Sequence, residues 1–226
     1  MGTLLLRLAA PLQAWGLDSK FNIRQTGNEP SKSGVVGLLA AALGRTRDES
    51  TEDMSALRFG VRVVREGKLL CDYHTVSRNP NPRPALNKTD YVTKRYYLSD
   101  AVFIVGFESD DREYLRRLND ALQAPAFPLF LGRRSCPPTF PVSLGIVDGR
   151  LEQALVEAQC PETIAESESD KPVRMVLDAL QTVPAAAMVK DKPISCSPRK
   201  REHGFRRVIE VYQGQPEHDP FGELEG

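Results

Sequence analysis

Few positions in this sequence combine residue types and spacing that suit catalysis. The best placed is His74, one of three histidines, in the run Asp72-Tyr73-His74-Thr75. An imidazole or phenol beside a carboxylate can take and return a proton, so His74 or Tyr73 is the natural acid or base of a metal-independent ribonuclease. A histidine hydrogen-bonded within a strand, or one touching RNA, fits the same pattern. The run from Gly27 to Ser33 invites comparison with a phosphate-binding loop. It fails the comparison, because Ser31 stands where a glycine must precede the lysine and the spacing is one residue short. Cys71, Cys136, Cys160 and Cys196 lie far apart and form no zinc-site spacing. Reduced thiols are expected, with no metal and no cofactor.

What remains suits holding a phosphate rather than reacting with one. Ser31-Lys32-Ser33-Gly34 opens an apolar stretch. A helix beginning there would offer free N–H groups, a favourable dipole and the Lys32 cation to an anion; ordinary capping by the serines is the plainer role. Gly132-Arg133-Arg134-Ser135 sets paired arginines between a flexible glycine and Pro137-Pro138. Arginine grips phosphate bidentately and glycine lets backbone amides approach, although two exposed arginines serve equally well in surface ion pairs worth about 0–1 kcal/mol each. Trp15, the single tryptophan, either stacks on a base or anchors its loop to the core.

The charge map points the same way. Thirty basic and thirty acidic residues cancel, yet they are segregated along the chain. Residues 78–95 carry Arg78, Arg83, Lys88, Lys94 and Arg95 against Asp90, residues 190–207 carry seven basic groups against two acidic, and residues 146–171 and 210–226 are acidic. A phosphate within a Debye length of about 8 Å responds to the local charge and little to the remote tail. Solvated loops are the competing reading of both basic stretches.

These residues need elements to position them. With 41 % hydrophobic and 27 % charged residues in 226, the chain reads as an ordinary globular protein able to bury a core. No apolar run approaches the roughly 20 residues that span a bilayer, and the start shows no signal-peptide pattern. A cytoplasmic protein is expected. Thr3 to Ala9 reads as a buried strand, Val35 to Leu43 as a helix stopped by Gly44, and Phe59 to Arg65 with Lys68 to Val76 as a hairpin across Glu66-Gly67. Tyr96 to Glu108 reads as one strand. A helix over 111–123 follows from the capping-box form of Asp110 to Glu113 and the face Tyr114, Leu115, Leu118, Ala121, Leu122. Pro80, Pro82 and Pro84 mark 77–95 as an exposed excursion. A short helix at 151–158 and strands near 173–178 and 206–212 complete the pattern.

The order strand, helix, hairpin, helix, then β-like segments suggests an α+β, ferredoxin-like β-α-β-β-α-β domain. PLQAWG after the first strand, PSKSGVVGLLAAALGR at the first helix, DYHTV, and FPLFLGRRSCPP after the second helix closely resemble the CasD family. That family comprises the five-prime-handle subunits of type I-E CRISPR Cascade, in the RAMP superfamily. The resemblance runs over residues 3–145 and is diffuse beyond 147. It implies a ferredoxin-like (RRM-like) domain at 1–147 with a thumb at 77–95, and a small β-containing C-terminal region at 148–226 ending in an acidic tail. The partners it implies are the crRNA five-prime handle, the backbone subunit CasC and the large subunit CasA, with target DNA met only through the assembled complex and no membrane. Residues and resemblance together imply an RNA-binding set of Gln13, Trp15, Arg24, Ser31, Lys32, Ser33, His74, Arg78, Arg83, Lys88, Lys94, Arg95, Gly132, Arg133, Arg134 and Ser135. A related branch, in type I-C systems, cleaves precursor RNA itself, whereas type I-E systems leave that step to CasE. Binding without catalysis is the expectation, and endoribonuclease activity through His74 or Tyr73 is the alternative.

Overall fold

The computed structural model describes residues 1–16, 22–76, 91–160, 172–180, 186–197 and 199–213. In chain order the elements are β1 (Gly2–Ala9), the short strands β2 (Leu12–Gln13) and β3 (Ile23–Arg24), α1 (Lys32–Ala42), α2 (Glu52–Ala56), β4 (Arg58–Arg65), β5 (Lys68–Val76), β6 (Tyr91–Ser99), β7 (Val102–Ser109), α3 (Arg112–Gln123), β8 (Ser143–Asp148), α4 (Leu151–Glu157), β9 (Val173–Asp178), β10 (Ala187–Ser195) and β11 (Glu202–Gln213).

The two main helices have local causes. Ser31 caps α1, its hydroxyl accepting the Gly34 N–H at 3.3 Å, and Gly44 at φ 77° takes the left-handed turn that ends it. Asp111 caps α3 by accepting the Tyr114 N–H at 2.9 Å. Glu113, expected to close a capping box, sits one position too early and pairs instead with Arg116 at 3.2 Å. The apolar face of α3 buries Leu115, Leu118 and Leu122.

Seven antiparallel strands form the main sheet in the order β10-β11-β9-β4-β7-β1-β8. Because β1 lies between two partners and is buried on both faces, it reads as a near-continuous apolar run. Leu4, Leu6 and Leu8 enter the larger core with residues of α1 and α3, while Leu5 enters a second core with Leu151 and Leu155 of α4. Helices therefore cover both faces of the sheet.

Two expected connections differ. β4 and β5 do not form a hairpin: β4 is already flanked by β7 and β9, and β5 pairs with β6 in a second sheet. The chain crosses between sheets at Gly67, where a Cβ would come within 2.8 Å of the Ala101 Cβ. The strand expected over 96–108 is two strands, split at Asp100 with φ 59° and assigned to different sheets. The Arg65 Nε, donating to the Asp100 carbonyl at 2.7 Å, fastens that break. Beyond residue 147, β9 pairs with β4, so the C-terminal strands extend the main sheet. No helix among the described residues is long and apolar enough to cross a membrane.

Candidate nucleic-acid interface

The second sheet is built around β6. β5 pairs along its whole length on one edge; on the other, β3 runs parallel at Lys94 and Arg95, and β2 pairs at Leu98 and Ser99. Alternation places Asp72 and His74 on one face with Thr93, Arg95 and Tyr97, and places Tyr73 on the other with Val92 and Lys94. Arg24 is in register with Arg95 and shares its face. Onto that face the Arg133 guanidinium folds, 4.8 Å from the centroid of the Tyr97 ring. Its Nη2 donates to the carbonyls of Arg24 at 2.9 Å and Gln25 at 3.3 Å.

Three arginines thus converge, with Asp72 as the carboxylate in register with Arg95. Two of their nitrogens, Arg95 Nε and Arg133 Nη1, are buried and have no hydrogen-bond partner among the described residues. A charged donor withdrawn from water without an acceptor costs free energy, and an incoming anionic oxygen would relieve it. Planar guanidinium forks suit phosphate in particular.

The turn carrying Arg133 is held from inside. Leu131 and Cys136 are buried, the Leu131 N–H donates to the Cys136 carbonyl at 2.8 Å, and the Cys136 N–H donates to the Arg133 carbonyl at 2.9 Å. Burial raises the Cys136 thiol above its ordinary pKa, so it packs as a neutral side chain. Gly132 has φ 83°, and a Cβ there would lie 1.7 Å from the Ala14 carbonyl oxygen. That position requires glycine because the turn is pressed against the chain leaving β2, where the Ala14 N–H donates to the Leu131 carbonyl at 3.2 Å.

Several expected contact residues point inward instead. The Trp15 indole is 1 % exposed and lies against Gly34, so it anchors its loop to α1 and offers no ring to a base. Gln13 is fully buried, donating to the Leu8 and Ala101 carbonyls and accepting from the Trp15 indole at 3.1 Å. Ser31 is spent on its cap. Lys32 is 4 % exposed; its Nζ donates to the Leu57 carbonyl at 2.7 Å and to Asp178 at 2.9 Å. The N–H group of Lys32 donates to Asp191 at 2.8 Å, so the chain's own carboxylate fills the place expected for a phosphate. Burial pushes the Lys32 ammonium below its ordinary pKa, with Asp178 opposing. Arg206 completes the cluster at 2.8 Å from Asp178 and 2.5 Å from Asp191. Burial lowers its pKa, but the two carboxylates outweigh that and leave it raised.

Of the others, Arg24, His74, Lys94, Arg134 and Ser135 are exposed and Ser33 is half-buried. Arg78, Arg83 and Lys88, with the thumb residues 77–90, lie outside the described residues; positions 91–95 belong to β6. Sequence reasoning missed Tyr97, the platform beneath Arg133. The signal was its two-residue spacing from Arg95.

Comparison with known proteins bears directly on this arrangement. The family described as CRISPR-associated protein (Cas_Cas5) matches residues 3–209. The CRISPR system Cascade subunit CasD of Escherichia coli (strain K12) is 38 % identical over 157 residues, covering 63 % of this chain and 70 % of that protein. Among solved structures, a chain of a CRISPR RNA-guided surveillance complex superposes with a TM-score of 0.76 at 32 % identity, covering 93 % of this chain and 90 % of its own. A crystal structure of a Cas protein superposes with a TM-score of 0.66 at 38 % identity, covering 93 % and 94 %. A match through nearly all the described strands, at these identities, leaves one conclusion: the chain belongs to the CRISPR-associated Cas5 family.

Proposed function

We propose that the chain is a non-catalytic RNA-binding subunit of a Cascade-type CRISPR RNA-guided surveillance complex, holding the five-prime handle of the guide RNA. The observation that carries this reading is the convergence of Arg24, Arg95 and Arg133 with two buried guanidinium nitrogens unpaired. Family membership supplies the RNA to which they are matched. The relatives named for Cascade and for an RNA-guided complex support the assembly.

The order β8-β1-β7-β4, with α1 and α3 as crossovers, is read as a ferredoxin-like β-α-β-β-α-β unit. In an RRM the open sheet face stacks bases. Here that face is covered by α4 through Leu151 and Leu155, which favours the second sheet as the RNA surface. Backbone (CasC) and large (CasA) subunits are the protein partners on this reading. Target DNA is met only through the assembled complex, in the cytoplasm.

Binding without cleavage is favoured by the placement of the catalytic candidates. Tyr73 and His74 are consecutive in β5 and lie on opposite faces, so they cannot serve as acid and base on one phosphate. The test is incubation of the purified chain with CRISPR repeat RNA in EDTA. A mobility shift with intact RNA is expected. Accumulating product that His74→Ala abolishes would replace this reading with the ribonuclease.

A further inference from the structure

The basic segment 190–207 is not used by the site above, and it folds into a distinct surface. β10 and β11 form the far edge of the main sheet, beyond β9. On one face this edge is tied to α1 through Asp191 and Arg206. On the other, α4 packs against β1, β4 and β7 and reaches β11 at Ile209 and Val211, while the earlier part of β11 is left open. Phe205 lies there, 58 % exposed, and Met188, in register with Arg207 two residues further along β11, is 59 % exposed. The Lys190 ammonium sits 5.8 Å from the centroid of the Phe205 ring.

The surrounding charge is one-sided. Lys190, Lys192, Arg199, Lys200 and Arg201 are all exposed. Of the nearby carboxylates, Asp191 is 1 % exposed and committed to Arg206 and α1, Glu202 pairs with Lys200 at 3.1 Å, and Asp48 accepts from the Ser197 hydroxyl at 2.8 Å. His203 is held below its ordinary pKa by burial and by Arg201, with Asp191 opposing and Lys190 adding to the shift.

An exposed aromatic ring with a cation against it, on an edge where exposed cations outnumber carboxylates, is the pattern of a base-stacking platform with a backbone track. A purely hydrophobic docking surface would not set an exposed cation against its ring, and a solvated basic loop would not hold a phenyl ring out on a strand. We infer that the β10–β11 edge is a second binding surface for single-stranded nucleic acid, with Phe205 stacking a base and Lys190 and Arg201 meeting phosphates. It is separate from the Arg95–Arg133 face and does not depend on that face holding the handle.

The test uses the full chain with a fluorescein-labelled oligo(dT) as probe, in the background Arg95→Ala/Arg133→Ala so that the first surface is silenced. Phe205→Ala combined with Lys190→Ala should weaken binding at least about fivefold, the lower end of the effect of removing one stacked base. The dependence of log K on log salt should fall by about 0.7 for each phosphate no longer neutralised. In a separate variant, Phe205→Trp, emission should be quenched on adding unlabelled oligo(dT), whereas the buried Trp15 stays constant. Unchanged affinity with no quenching overturns the inference. So does a Phe205→Ala/Lys190→Ala variant that binds the probe normally but fails to join the other subunits, since the surface is then a protein interface.

Discussion

Two clusters of cations in this molecule have opposite fates. Around Lys32, two cations and two carboxylates close on each other: Lys32 and Arg206 share Asp178, and Asp191 takes Arg206 together with the first N–H of α1. Around Arg133, three arginines meet with Asp72 as the carboxylate in register and two donors unfilled. Both regions read in sequence as a cation beside serine and glycine. What separates them is which carboxylates the fold delivers, and of the two clusters the second keeps donors that no described residue fills.

The largest effect should come from opening the closed cluster. Asp191→Ala leaves Arg206 Nε and Nη2 and the Lys32 N–H without their acceptor inside the protein. Breaking one partner of a buried pair costs about 3–5 kcal/mol, and denaturant unfolding should show a loss of that size. A loss under about 1 kcal/mol would mean that water already reaches the cluster, and the contrast with the Arg133 face would collapse.

Opening the other cluster should do the reverse. Arg95→Ala with Arg133→Ala removes two unfilled donors along with the exposed Arg133 contacts to the Arg24 and Gln25 carbonyls, so stability should move by no more than about 1 kcal/mol. Binding of the RNA handle should weaken, with the salt slope falling by about 1.4 if each arginine meets one single-stranded phosphate. Arg134→Ala, whose side chain is exposed, should change the slope by less. A slope that does not move in the double variant would detach this face from RNA.

The contrast also marks what the sequence could tell. Elements with local causes were legible: the Asp111 cap and the Leu115, Leu118, Leu122 face of α3, the Ser31 and Gly44 limits of α1, and the apolar run of β9. The departure of β5 from β4 was not, because Glu66-Gly67 suits a hairpin turn as well as it suits a crossing between sheets. Nor was the inward turn of Lys32, whose partners Asp178 and Asp191 lie 146 and 159 residues away. Of the candidate interface, Arg95, Arg133 and Gly132 were legible as residues. Their convergence depends on the pairing of β3 with β6, two residues long and invisible in any periodicity.

The smallest effect belongs to a third cation, midway between those fates. Arg45 grips Asp53 at 2.7 and 2.5 Å near the surface, and the Tyr114 hydroxyl donates to the same carboxylate at 2.7 Å, tying the end of α1 to α2 and α3. The Arg45 bond, outweighing burial, holds Asp53 at about 2, below its ordinary 3.8. A depressed carboxylate contributes stability above its unfolded pKa and loses it as pH falls through the folded one. Because the pair is partly solvent-screened, Asp53→Asn should cost only about 0.2–1 kcal/mol at pH 7. That gap should stay constant down to about pH 5, narrow through the interval from about 4 to 2, and vanish below it, as followed by thermal unfolding of both proteins. A gap that widens on acidification would place Asp53 outside the pair and leave Arg45, like Arg133, a cation whose partner has yet to arrive.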